Sequence, residues 1–204
     1  MNNSFYNNWR RRILSRIVKK KLDLSDVSLI SMNCVGGIMY HDCESRFLTP
    51  TIDLYFSASD FIKFVNNLDL YLAETPRVIM GSKFPIGVLG DIKLYFMHYD
   101  TPEEALAKWE ERKKRINNDK IFVIMVDRNG FSDEDFENFK KIHYPKFLLT
   151  NKKEHAFTDS VYMPKYKDLD EMPDVIPGRR MYYKMALPNA IKKAYSKHLI
   201  GAQF

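Results

Sequence analysis

IFVIMV, residues 121–126, sets six apolar side chains in a row with no polar interruption. A strand with one face in water alternates apolar and polar residues. An unbroken run therefore predicts a strand covered on both faces, as in a sheet flanked by helices. The flanks agree with that reading. Upstream, Thr101-Pro-Glu-Glu has the form of a helix start. Thr101 caps, Pro102 takes the first position where no amide hydrogen is needed, and Glu104 completes a capping box. This helix is predicted to run to about Asn117. Downstream, Asp127-Arg-Asn-Gly is a turn, Ser132 caps a short helix carrying Phe136 and Phe139, and KFLLT (146–150) is the next strand.

Further out, VSLISMN (27–33), IDLYF (52–56), VIM (78–80) and IKLYFM (92–97) read as strands. A Gly/Pro-containing loop is expected between the last two. Ser57 or Ser59 caps a helix whose apolar face is Phe61, Ile62, Phe64, Val65 and Leu68. Residues 152–178 are rich in acids and prolines and read as a long loop. MYYKMAL and PNAIKKAYSKHL suggest a closing helical region. Strands alternate with helices, which predicts an α/β fold with a mainly parallel or mixed sheet and helices on both faces. A basic amphipathic helix over residues 1–24 precedes a single α/β domain over 25–204, with room for two small lobes.

Composition narrows the class. The chain has 204 residues, 45% hydrophobic and 28% charged, which is globular and not disordered. No apolar run approaches the roughly 18 residues of a membrane span. Two cysteines make no disulfide framework, and MNNSFYNNWRRR lacks the apolar stretch of a secretion signal, so a cytoplasmic setting is expected. The net charge of +6 is concentrated at one end. Residues 1–21 hold seven basic groups and no acid, while the rest is nearly neutral. In that segment Phe5, Trp9, Ile13 and Ile17 recur at helical spacing, with Tyr6, Leu14 and Val18 widening the stripe. A basic helix with aromatic residues can lie on a membrane surface through residues 5–21, or it can pack on the domain and solvate its charges. The basic residues do not continue into the domain, so nucleic acid is not an expected partner.

Three short motifs carry candidate chemistry. In Ser31-Met-Asn-Cys-Val-Gly-Gly a strand ends in a turn. Asn33, Gly36 and Gly37 are placed to donate to an oxyanion, and Cys34 is either a nucleophile or part of a donor loop. His98-Tyr99 follows a strand, where α/β proteins bind ligands, and His98 suits a general base. In Trp109-Glu-Glu-Arg-Lys-Lys-Arg-Ile-Asn, the residues Trp109, Arg112 and Arg115 share one helix flank, fit for a phosphate or a sugar-nucleotide diphosphate. Asp127, closing the buried strand, is a candidate to orient His98. Asp133-Glu-Asp135 has the spacing with which many nucleotide-sugar glycosyltransferases hold Mn²⁺. Its place at a helix start is explained by the helix dipole, and no metal is expected. Cys34, His41 and Cys43 lack metal-ligand spacing.

Taken together, ISMNCVGGIMY, FSASDFIKFVNNLDLYL and GDIKLYFMHYDTPEEALAKWEERKKRINNDKIFVIMVDRNG resemble a bacterial family linked to capsule and exopolysaccharide biosynthesis, catalogued as domain of unknown function number nineteen-nineteen. The resembling pattern is N-C-x-G-G, then H-Y after a strand, then W-x-x-R-x-x-R-I-N, which stand here as Asn33 to Gly37, His98-Tyr99 and Trp109 to Asn117. The resemblance spans about residues 25–185 and leaves the basic helix outside. It implies a cytoplasmic α/β protein of a polysaccharide gene cluster, and it supplies no reaction.

The expectation is an enzyme that transfers an acyl (acetyl) group to a sugar hydroxyl of a polysaccharide precursor. Acetyl-CoA would be the donor and a small or lipid-linked sugar the acceptor. His98, Cys34 and Asp127 would be catalytic. Asn33, Gly36, Gly37, Tyr99, Trp109, Arg112, Arg115 and Asn117 would bind substrate. The alternatives are a glycosyltransferase or phosphotransferase with Asp91 or Asp127 as base, and a non-catalytic membrane-associated assembly factor.

Overall fold

The computed structural model describes residues 4–196. The expected α/β class holds. Four parallel strands form one sheet in the order β1 (Ser28–Ser31), β5 (Ile121–Val126), β6 (Lys146–Thr150), β7 (Ser160–Tyr162). Every residue of β1 and β5 is buried, so the sheet is covered on both faces at its centre. The capped helix upstream is α5 (Pro102–Lys113), with the Thr101 hydroxyl accepting from the Glu104 amide. It ends four residues earlier than the sequence suggests. Arg115 and Asn117 therefore sit in the connection to β5 and not on the helix. The short helix after β5 is α6 (Asp133–Lys141), with the reciprocal Ser132–Asp135 capping box.

A second sheet is antiparallel, in the order β2 (Arg77–Met80), β3 (Pro85–Leu89), β4 (Ile92–Tyr95). The expected loop between 80 and 92 hides β3. Its Pro85 and Gly87 look like punctuation, yet proline is tolerated as a first strand residue. Gly87 is required there, because a Cβ would come within 2.9 Å of the Phe96 ring. Between β1 and β2 lie α2 (Val35–Asp42), α3 (Ala58–Asn66, capped by Ser57) and α4 (Leu68–Ala73).

Three further expectations are corrected. Gly36 and Gly37 do not make a turn; they lie in the first turn of α2. Glycine weakens a helix by roughly 1 kcal/mol, but here it brings the helix onto β1. A Cβ on Gly36 would meet Ser31 Cβ at 2.9 Å. Residues 52–56 are not a ladder strand. Asp53 adopts φ 62°, which breaks extension, and only Tyr55 bridges to Tyr95. Residues 152–178 are not all loop, since they contain β7 and a 3-10 turn at Pro164–Tyr166.

The segment 52–56 joins the two sheets. The Phe56 amide donates to the Met32 carbonyl beyond β1, while Tyr55 exchanges both backbone hydrogen bonds with Tyr95 of β4. Below this seam, Trp109, Phe64 and Phe96 pack as a buried aromatic core.

The N-terminal helix α1 (Ser4–Lys21) is docked on the domain by the Leu14 and Val18 edge of its apolar stripe. Val18 is buried and Leu14 half-buried. Phe5 is 82% and Trp9 54% exposed, with Tyr6, Ile13 and Ile17 exposed beside them. The docking partner is the segment Pro177–Met185, short 3-10 turns broken by non-helical residues such as Gly178 and Arg179, where the Arg10 guanidinium donates to the Gly178 carbonyl. Gly178 has φ 61°, and a Cβ there would strike Asn7 Oδ1 at 2.6 Å. That segment is held in turn by a buried cluster. Arg179 donates twice to Asp42 at the end of α2, at 2.6 and 2.8 Å, and the Tyr182 hydroxyl donates to the same carboxylate. The closing helix is α7 (Ala186–Ser196); residues 197–199 of the expected PNAIKKAYSKHL helix lie outside the described residues.

Candidate functional site

β1 ends at Ser31 and β5 at Val126, and the carboxyl ends of parallel strands are where α/β folds leave a crevice. Here the seam segment and the start of α2 wall that crevice into a cavity of about 870 Å³. Its lining includes Asn33, Cys34 and Gly37 after β1, Asp53 and Tyr55 from the seam, and His98 after β4. Arg128 and Asn129 after β5, together with Asp174 from the 152–178 segment, close it. The structure thus brings together Asn33, Cys34, Gly37 and His98, which lie far apart in sequence.

Local chemistry fixes each wall. The Asn33 side-chain oxygen accepts from the Val35 amide, which starts α2 directly after the strand. Asn129 is held in the left-handed region at φ 58°, a conformation asparagine tolerates. Its amide donates to Glu171 and its side-chain nitrogen to the Phe56 carbonyl. His98 is exposed, and its backbone amide points to the Asp53 carbonyl.

The cavity is acidic where a reactive cysteine would need positive charge. The Cys34 thiol is pushed up to about 12, chiefly by burial and then by the carboxylates of Asp53 and Asp174. A nucleophilic cysteine needs the opposite environment. The sequence reading of Cys34 as acyl-carrying nucleophile is therefore not supported by its surroundings.

The tryptophan–arginine motif is redirected. Trp109 is buried in the aromatic core. Arg112 turns inward: it donates to the Tyr99 hydroxyl at 2.6 Å, lies over the Phe47 ring and stands 3.8 Å from Asp53. Tyr99 is buried and donates to the Ile52 carbonyl at 3.1 Å. Arg112 and Tyr99 thus hold the strained Asp53 segment in place and do not line the cavity. Arg115 pairs with Glu111. Asn117 has a structural engagement: its backbone amide donates to Ser28 Oγ and its side chain to the Asp26 carbonyl, fixing the entry to β5 against β1. Gly36 is buried behind Gly37.

Asp127 does not orient His98. It is buried at the end of β5, and its Oδ2 accepts from Thr150 Oγ1 at 2.7 Å and faces His155 Nδ1 at 2.8 Å. The other ring nitrogen of His155 faces Asp133 Oδ1 at 3.0 Å, and Phe136 stacks on the imidazole. The Asp-x-Asp motif is consumed here, with Asp133 on His155 and Asp135 in the capping box. Asp91 lies on the β3–β4 turn, bound by Lys63 and Tyr71, away from the cavity. Sequence reading missed His155, Asp53, Asp174 and Arg128. The one usable signal was Asp127 itself, because a carboxylate closing a buried strand requires a partner.

Residues 5–189 match the family described as "Domain of unknown function (DUF1919)". The match begins inside α1, so the basic helix belongs to the matched region and is not an appendage. An uncharacterized protein of Haemophilus influenzae is 32% identical over 174 residues, covering 84% of each chain. Among the described residues no helix is long and apolar enough to cross a membrane.

Proposed function

The chain belongs to the family of domain of unknown function DUF1919, and from that footing we propose that it is a transferase acting on a sugar hydroxyl of a capsular or exopolysaccharide precursor, by direct acyl transfer. The observation that carries this reading is an exposed imidazole, His98, on a cavity lined by carboxylates, carboxamides and aromatic rings. Asp53, Asp174, Asn33 and Asn129 offer the donors and acceptors that a polyhydroxylated ligand needs, and Tyr55 and Phe47, backed by Tyr95 and Arg112, add aromatic surface to the lining.

In this mechanism His98 removes the proton of the sugar hydroxyl. The oxygen attacks the carbonyl carbon of an acyl thioester such as acetyl-CoA, and the carbonyl electrons move onto oxygen. Asn33 and the first turn of α2 at Gly37 stabilise that oxyanion. The tetrahedral adduct collapses, the carbon–sulfur bond breaks, and the departing thiolate takes the proton from His98. Cys34 remains a neutral thiol that shapes the cavity, so no covalent enzyme intermediate forms. The exposed stripe and seven basic groups of α1 support a working position on the inner face of a membrane, next to a lipid-linked acceptor.

The test is acetyl transfer by the purified chain to hexose acceptors, read by mass spectrometry. His98→Ala is expected to lose roughly 10²–10⁴-fold in rate, and Cys34→Ser to retain activity. Full activity of His98→Ala sinks the assignment. Two cavity carboxylates favour one second reading, glycosyl transfer with Asp53 or Asp174 as base. Hydrolysis of a nucleotide sugar, without consumption of acetyl-CoA, would select it.

A further inference from the structure

The main cavity does not end at its acidic wall. His41 and Phe47 line it and also line a second, smaller hollow of about 500 Å³. That hollow is built from Arg11, Arg12 and Ser15 of α1 against the end of α2. The two hollows are therefore neighbours across His41 and Phe47, close enough for the two ends of one extended ligand.

Charge divides the pair. Asp53 and Asp174 stand in the main cavity, and its guanidinium, Arg128, faces Glu171 at 3.9 Å. In the second hollow, among the described residues, no carboxylate lies within 4 Å of the guanidinium of Arg11 or Arg12. Two carboxylates line this hollow as well, and both are engaged: Glu44 pairs with Lys19 at 2.5 Å, and Asp42 is buried under Arg179 and Tyr182. Even with Arg112 3.8 Å from Asp53, the first space keeps Asp174 beside its guanidinium, whereas in the second both lining carboxylates are paired and two guanidiniums are left to meet an anion. Two guanidiniums, a hydroxyl and an imidazole suit the oxygens of a phosphate.

The position of these arginines is preset. Arg10 fastens α1 to Gly178, and Arg179 fastens the same segment to Asp42 of α2, the helix that also lines the cavity. We infer that the Arg11–Arg12 hollow is a phosphate subsite, and that the substrate is a sugar ester of a phosphate or diphosphate whose sugar occupies the main cavity. The identity of the sugar portion rests on the function proposed above; the phosphate subsite does not. The phosphate can come from a nucleotide sugar or from an isoprenyl-linked sugar at the membrane.

The test is calorimetry on the full chain at low salt with inorganic pyrophosphate, UDP-glucose and geranyl diphosphate. Arg11→Ala/Arg12→Ala is expected to weaken pyrophosphate at least tenfold. Arg16→Ala/Lys20→Ala, which removes equal charge from the outward face, is expected to change it less than twofold. No binding by the native chain, or equal losses in the two variants, overturns the subsite. Tighter binding of UDP-glucose than of pyrophosphate assigns a nucleotide source, and tighter binding of geranyl diphosphate assigns a lipid source; either supports the subsite. Because binding is read without turnover, the two claims separate. Selective loss in Arg11→Ala/Arg12→Ala with no acyl transfer by the native chain keeps the subsite and removes the reaction. Unchanged affinity with intact transfer removes the subsite alone.

Discussion

Cys34, half-buried, and His155, buried, show how surroundings decide a side chain's role. Cys34 caps α2 just after β1 on the cavity wall, which on position alone suits a nucleophile, but burial of its thiol and two carboxylates keep its proton on. Iodoacetamide at pH 8 should alkylate it at least about tenfold more slowly than a free cysteine. Peptide mapping would measure the rate, and labelling as fast as the free thiol would contradict the environment described. His155 is the converse, a residue with no sequence signal that satisfies a buried carboxylate. Replacing it with Leu leaves Asp127 without its ring partner and should cost about 3 kcal/mol, read by urea unfolding. His98→Ala, on an exposed residue, should stay within roughly 0.5 kcal/mol in the same assay. Asp127 could be picked out from the run it terminates. Its partner could not, because pairing across 28 residues is a property of the fold.

At the scale of elements, periodicity was legible where a segment buries one face against one neighbour. The Thr101 and Ser132 caps and the strands at 121–126 and 146–150 are of that kind. It failed where a third body intervenes. Gly36 and Gly37 look like a turn until β1 lies beneath them, and IDLYF looks like a strand until Asp53 turns to meet Arg112. In α1 the stripe left a membrane face and a packing face both open, and the fold divides it: Leu14 and Val18 dock, while Phe5, Trp9, Ile13 and Ile17 stay exposed. The exposed stripe carries its own prediction. The chain should sediment with vesicles containing phosphatidylglycerol and not with pure phosphatidylcholine. Phe5→Ser/Trp9→Ser should weaken this binding, and salt should reverse it, since each basic group contributes about 1 kcal/mol near an anionic surface. Failure to bind anionic vesicles at low ionic strength would remove α1 from the membrane.

For the molecule as a whole, burial of weak acids sets the alkaline limit. The thiols of Cys34 and Cys43 are both pushed up to about 12, largely by burial, and Tyr99 is pushed to about the same value. Groups whose folded value is raised contribute stability that is complete below the unfolded value and lost as pH rises towards the folded one. For the thiols that window opens near 9 and closes near 12. The thermal midpoint should be level from about pH 7 to 8.5 and decline above 9, and a Cys34→Ser/Cys43→Ser variant should decline less steeply. A midpoint that is flat to pH 11 would contradict this. The class of fold could be read from one apolar run. The placement of the cavity could not, since it depends on the seam at Tyr55 and Phe56 joining two sheets that the sequence presents as one series of strands.

The pairing of β1 with β5 has a consequence for how the chain acquires its shape. As the polypeptide leaves the ribosome, β1 emerges early, and its neighbour follows only after α2 to α5 and the whole antiparallel sheet. Loop closure of that length is slow, and local structure forms ahead of it. Until β5 arrives, the first strand is an uncovered apolar edge of the sort chaperones hold. The walls of the cavity stay apart until the same moment, so ligand-binding competence should appear late in refolding and in step with burial of β5.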